Sequence, residues 1–203
     1  MKYTYLSLGD SYTIGEGVPL YESYPYQTVQ ILRQAGKAFN AAEIIAKTGW
    51  TTTDLASGID HTLLTQPYDF VSLLIGVNNQ YRGLHTSIYS VEFEELLTSC
   101  LSFTEHKPAH VFVLSVPDWG LTPFANGDDR QKITREIQGY NKINSDLSRK
   151  FGVTYIDITS ASPERANDNT YFADDGLHPS AKAYKRWAQL LSKAILISME
   201  EKR

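Results

Sequence analysis

Five short apolar, β-rich runs, at residues 3–8, 39–46, 70–75, 111–116 and 153–158, recur along the chain, and each is followed by a stretch with helical spacing. Such alternation admits few arrangements. Parallel strands need crossovers long enough to hold a helix, and those helices cover the two faces of the sheet. Val111-Phe112-Val113-Leu114 and Phe70-Val71-Ser72-Leu73-Leu74-Ile75 are nearly continuous apolar runs, the pattern of strands covered on both faces. The reading is an α/β protein with a five-stranded parallel sheet sandwiched between helices.

The intervening segments carry apolar stripes at helical spacing. Phe93, Leu96, Leu97, Cys100 and Leu101 form one, and Ile133, Ile137, Tyr140, Ile143 and Leu147 a second. Tyr184, Trp187, Ala188, Leu191 and Ile195 form a third, and Pro179 before it suits a first helical turn. All three read as core-facing. Cys100, the only cysteine, rules out an intramolecular disulfide and reads as a small buried hydrophobe. No repeat, low-complexity tract or linker interrupts the pattern, and residues 126–129 and 161–164 read as loops. One domain over residues 1–203 is expected.

Several function classes fall away. The net charge is −4 and the basic residues are scattered, so the stripe that a phosphate backbone requires is missing and nucleic acid is not expected as a partner. No apolar stretch is long enough for an integral membrane segment. Met1-Lys2 runs directly into a strand pattern rather than an export signal, and a cytoplasmic location is expected. His61, His85, His106 and His110 lack the spacing of a metal site and read as solvated or structural. Gly15-Glu16-Gly17 lacks the ending of a phosphate loop.

In an open parallel sheet, ligands bind beyond the carboxyl ends of the strands. Gly9-Asp10-Ser11, Thr48-Gly49-Trp50, Gly76-Val77-Asn78-Asn79 and Pro117-Asp118-Trp119 follow the first four strands, and His178 lies past the fifth. Singly, each also has a reading as turn chemistry: Ser11 as a helix cap, Gly49 as a turn glycine, Asn78 as a turn residue, and His178 as a cap. His178 alone among the histidines joins a strand-end loop to a nearby carboxylate and a proline. Jointly they bring a hydroxyl, an imidazole and a carboxylate to one sheet edge, the groups that turn serine into a nucleophile. Thr13 breaks the G-x-S-x-G elbow of α/β-hydrolases.

Gly9-Asp10-Ser11, Gly49, Gly76-x-Asn78 and Asp175-x-x-His178-Pro179, in this order, resemble the four signature blocks of the SGNH (GDSL-type) hydrolases. The resemblance spans nearly the whole chain. It implies a flavodoxin-like three-layer α/β/α fold and hydrolysis of a small-molecule ester through an acyl-enzyme, without a metal or organic cofactor. It further implies Ser11 as nucleophile, His178 as general base and Asp175 as its orienting carboxylate, preferred over the rival Asp174. The oxyanion hole would be the N–H groups of Ser11 and Gly49 and the amide of Asn78. Tyr12 stands where the family has leucine, and Asn79 where it commonly has aspartate; Tyr12 is expected in the pocket wall and Asn79 near the loop.

Among the aromatics at the strand ends, Trp50 and Trp119 are candidates for substrate contact beside Tyr12 and Asn79, with Tyr21, Tyr24, Tyr26, Tyr81 and Phe124 also available. The expected activity is release of a short acyl group, such as acetyl, from an alcohol or carbohydrate. Lysophospholipase or thioesterase activity within the family, and a catalytically dead α/β binding module, are the alternatives. Oligomeric state is not legible in the sequence.

Overall fold

The computed structural model describes residues 2–64, 67–159 and 169–200; the loop expected at residues 161–164 lies outside them. Five strands, β1 (Tyr5–Asp10), β2 (Glu43–Lys47), β3 (Phe70–Leu74), β4 (Val111–Leu114) and β5 (Thr154–Ile156), form one sheet in the order β2-β1-β3-β4-β5. Every pairing is parallel, with Leu8 opposite Ile45 and Leu73, Leu73 opposite Val113, and Val113 opposite Tyr155. The strands β2 to β5 are shorter than their apolar runs, and β1 is as long as its run but begins two residues later. Tyr3 and Phe39 meet only as an isolated bridge, so the second run enters the sheet at Glu43.

All residues of β1, β3 and β4 are buried, whereas the edge strands β2 and β5 are partly exposed. The cause is the helices. The short α1 (Ser11–Ile14) leads toward α2 (Tyr24–Gln34), which packs with α7 (Ala181–Glu200). On the other side α3 (Thr52–Asp60), α5 (Thr86–Phe103) and α6 (Arg130–Phe151) pack in succession, with α4 (Val77–Tyr81) against α6. Right-handed crossovers require this division, because the chain moves one way from β1 to β2 and the other way from β2 through β3 to β5. The reversal leaves a crevice at the carboxyl end of β1, beside β3.

The three helical stripes lie where their spacing places them. Each of their residues is buried except Ile143, which is partly buried against the core. Cys100 is fully buried, and burial pushes its thiol up to about 12. Two serines, Ser7 and Ser72, sit inside the central strands. They are satisfied by a hydroxyl chain running Tyr5–Ser72–Ser7–Tyr24, at 2.7, 3.0 and 3.0 Å, with Thr13 3.3 Å from the Tyr24 hydroxyl. His110 is also buried, its ring stacked on Phe70 at 4.8 Å.

Pro179 departs from its expected place. It pairs with Phe172 in an isolated antiparallel bridge, and α7 begins two residues later, at Ala181. The Ala173 N–H donates to the His178 carbonyl at 2.8 Å and the Ser180 N–H to the Tyr171 carbonyl at 2.9 Å. These bonds hold residues 171–180 as a narrow hairpin ahead of the helix. Among the described residues, no helix is long and apolar enough to cross a membrane.

Candidate active site

Ser11 stands at the sharp turn where β1 becomes α1. Asp10 ends the strand and caps the helix, its Oδ1 accepting from the Tyr12 N–H at 3.0 Å. Gly15 closes this one-turn helix in the left-handed region, at φ 80°. The turn therefore holds Ser11 in the crevice with only 5% of its surface exposed.

His178 and Asp175 come from the 171–180 hairpin. Asp175 Oδ1 accepts from the backbone N–H groups of Leu177 and His178 at 2.8 and 2.9 Å, and Oδ2 lies 2.6 Å from His178 Nδ1. Gly176 at φ 66° allows the tight turn, and its carbonyl accepts from the Phe124 N–H at 3.0 Å, which ties the hairpin to the loop after β4. Partial burial opposes ionisation of Asp175. The bonds from the His178 ring and from the two N–H groups outweigh it and hold the carboxyl below the usual range. An ionised Asp175 takes the proton-bearing Nδ1, which leaves Nε2 as the acceptor. That nitrogen lies 2.9 Å from Ser11 Oγ. Asp174 is exposed, and the contact with Nδ1 is made by its neighbour Asp175.

Gly49 and Asn78 approach Ser11 from the loops after β2 and β3. Gly49 has φ 81°, a backbone that side chains disfavour. Asn78, in the first turn of α4, donates Nδ2 to the Trp50 carbonyl at 3.0 Å and lies 3.5 Å from Asp10 Oδ2. Gly76, which opens α4 at φ 133°, has no room for a Cβ, because one would lie 2.7 Å from the Tyr89 hydroxyl. Complete burial pushes the Asp10 carboxyl up to about 7. The N–H groups of Tyr12 and Asp10 itself pull it down, and the Glu16 charge adds to the rise.

The cleft beside Ser11 and His178 encloses about 220 Å³ and is walled by Thr48, Gly49, Asn78 and an apolar group of Val77, Tyr81, Trp119, Phe124 and Leu177. Trp119 anchors that group: its Nε1 donates to Gln80 Oε1 at 2.6 Å, with Tyr81 and Phe124 packed edgewise at 5.4 and 6.2 Å. The other expected contacts are placed differently. Tyr12 touches the inner end of the cleft, but its ring is 2% exposed and packs 4.9 Å from the His178 ring and 6.3 Å from Trp187. It forms the buried inner end of the cleft wall and backs the His178 ring. The Trp50 ring lies against α3 over Gly58, where any Cβ would collide with it, and only its carbonyl serves the site.

Asn79 is fully buried and faces away from the cleft. Its Oδ1 accepts from the Thr52 N–H at 3.1 Å and its Nδ2 donates to Thr52 Oγ1 at 2.6 Å, which fastens α4 to the start of α3. Tyr24 belongs to the buried hydroxyl chain. A larger cavity of about 460 Å³, bordered by Thr122, Arg130, Arg135 and Phe172, lies along the 119–125 segment and includes none of Ser11, Asp175 or His178.

Two further residues stand at the rim. From the sequence Arg82 reads as one half of an exposed salt bridge, with an anionic leaving group as the other possible partner, and the salt bridge is what forms. Its Nη2 donates to the Gly49 carbonyl at 2.6 Å and its Nη1 lies 3.6 Å from Asp54, so it steadies the Gly49 turn. Glu16 Oε2 accepts from Thr48 Oγ1 at 2.5 Å and lies 4.0 Å from His178 Nε2. The Glu16 position carries no sequence signal, since a glutamate in a loop is ordinary.

Comparison with solved structures finds the same fold repeatedly. The family 3 carbohydrate esterase of Clostridium thermocellum superimposes with a TM-score of 0.76 at 22% identity, covering 98% of each chain. TesA superimposes at 0.75 with 15% identity over 96% of this chain and 99% of the other. The acetylxylan esterase Axe2 of Geobacillus stearothermophilus gives 0.70 with 16% identity over 97% and 93%. No curated protein sequence matches the chain. The profile of the GDSL-like lipase/acylhydrolase family matches residues 7–186, from within β1 to within α7. That match takes in every strand of the sheet and all the loops that meet at Ser11, and it places this chain in the GDSL-like lipase/acylhydrolase family of hydrolases.

Proposed function

We propose that the protein is a serine esterase that releases short acyl groups, acetyl foremost, from an alcohol or a carbohydrate. The observation that carries this reading is the continuous chain Ser11 Oγ–His178 Nε2, 2.9 Å, and His178 Nδ1–Asp175 Oδ2, 2.6 Å, opening onto the cleft. In the reaction, Ser11 Oγ attacks the ester carbonyl carbon as Nε2 takes its proton. Asp175 holds the tautomer in which Nε2 can accept, and balances the imidazolium that forms. In this reading the tetrahedral oxyanion falls to the N–H groups of Ser11 and Gly49 and to the Asn78 amide, which exchanges its bond to the Trp50 carbonyl for the oxyanion. The carbon–oxygen bond to the leaving alcohol then breaks, and Nε2 returns the proton to that alcohol. Water, activated by the same nitrogen, attacks the acyl-enzyme and frees the acid.

The preference for short acyl groups rests on the size of the cleft, about 220 Å³, below the range of about 300–1,000 Å³ common for small-molecule sites. The preference for a carbohydrate or alcohol draws on the similarity to a carbohydrate esterase and an acetylxylan esterase. A series of p-nitrophenyl esters from acetyl to palmitoyl, run beside Ser11→Ala, tests the reaction class and the acyl preference together. Turnover should peak at the shortest chains, and Ser11→Ala should lower kcat on the order of 10⁴-fold or more. Undiminished hydrolysis by Ser11→Ala, or failure of a serine-reactive phosphonate to label Ser11, would dismiss Ser11 as the nucleophile.

A further inference from the structure

Glu16 places a carboxylate beside His178 Nε2, a position that the reaction above leaves unused. Its Oε2 is 4.0 Å from His178 Nε2, the nitrogen facing Ser11, and is held there by the Thr48 hydroxyl at 2.5 Å. About a third of the Glu16 side chain, 36%, remains exposed, so the group is open to a ligand. At 4.0 Å it is too far to accept the proton from Nε2 directly, and Thr48 already donates to the nearer oxygen. Glu16 therefore shapes the field at Nε2 without taking over the base.

We infer that Glu16 is a specificity-determining residue that selects leaving alcohols bearing a hydrogen-bond donor, a hydroxyl or a protonated amine, next to the ester oxygen, and rejects anionic ones. The inference rests on the esterase reading. To be protonated by Nε2, the leaving oxygen has to come within about 3 Å of that nitrogen. A donor on the adjacent carbon then reaches the Glu16 carboxylate, whereas a carboxylate or phosphate there meets a like charge. Arg82, a cation on the same rim, cannot offset this easily, being turned to the Gly49 carbonyl and to Asp54. The apolar group around Trp119 offers no competing charge on its side of the cleft.

Four acetate esters provide the test: 2-hydroxyethyl acetate, 2-(dimethylamino)ethyl acetate, propyl acetate and acetoxyacetate, compared by kcat/KM at neutral pH in the natural enzyme, Glu16→Gln and Glu16→Ala. The natural enzyme should favour the two donor-bearing esters over propyl acetate by about tenfold and disfavour acetoxyacetate by a similar factor. The larger of the two donor preferences tells a polyol from an amino alcohol. Glu16→Gln should erase most of the amine preference and the rejection of acetoxyacetate, while retaining part of the hydroxyl preference through its amide oxygen. Glu16→Ala should erase all three. If Glu16 merely braces Thr48, all four esters will change by one common factor and their ratios will stay as they were, which overturns the inference alone. If the natural enzyme hydrolyses none of the four, the esterase reading falls and this inference with it.

Discussion

A Cβ at position 9 would lie 2.1 Å from Thr13 Oγ1 and 2.3 Å from the Leu74 carbonyl oxygen, so the turn that presents Ser11 tolerates only glycine. Gly9→Ala should cost about 1–3 kcal/mol, the range of an overpacked core, and urea denaturation reads the loss directly. Asn78 poses a chemical question instead. If its amide serves the oxyanion, Asn78→Ala lowers kcat about 10²–10³-fold while the circular dichroism spectrum is retained. Unchanged turnover would remove it from the hole. The identities of Ser11, Gly49, Asn78, Asp175 and His178 were readable as a set because each lies in a loop at the same sheet edge. Glu16 was not, nor was the Arg82 contact with the Gly49 carbonyl, because their significance depends on distances between loops that are remote in sequence.

Among the secondary-structure elements, the junction of α3, α4 and α5 explains one departure from the family pattern. The Thr52 hydroxyl receives a hydrogen from Asn79 and donates its own to Glu92 of α5. An amide at position 79 can accept from the Thr52 N–H and donate to its Oγ1, which an ionised aspartate cannot do. Asn79→Asp would leave two carboxylates seeking one hydroxyl hydrogen, with an expected loss of about 1–3 kcal/mol in a urea titration. Adding Glu92→Gln should recover part of it, since the new amide can donate to Thr52 in turn. No such recovery would show that the position is sensitive for another reason. The 171–180 hairpin is the other element-level result. A proline before an apolar stripe reads as a helix start, but two backbone hydrogen bonds across the hairpin hold Pro179 in a bridge and postpone α7 to Ala181.

The stability of the whole molecule should carry the mark of Asp10. Its carboxyl is raised in the fold to about 7 from an ordinary value of 3.8, so the folded chain binds more protons than the unfolded one between these values. The contribution of Asp10 is thus most favourable below about pH 4 and is lost as pH rises through about 7. Asp10→Asn keeps a side-chain oxygen for the Tyr12 N–H but cannot ionise. Its stability relative to the natural chain should therefore climb from pH 4 to pH 7 and level off above. A difference independent of pH would mean that Asp10 is not strained by its burial. Across the fold, alternation of apolar runs and helical stripes determined by itself the class, the parallel sheet and the buried faces, because these follow from local periodicity and from covering both sides of a strand. The sequence also determined which residue types could meet at the sheet edge. Only the tertiary structure decided which aromatics line the cleft, that Asn79 faces inward, and that a glutamate stands beside Nε2. Those outcomes depend on how separate loops pack against one another in space, and spacing along a chain carries no record of that.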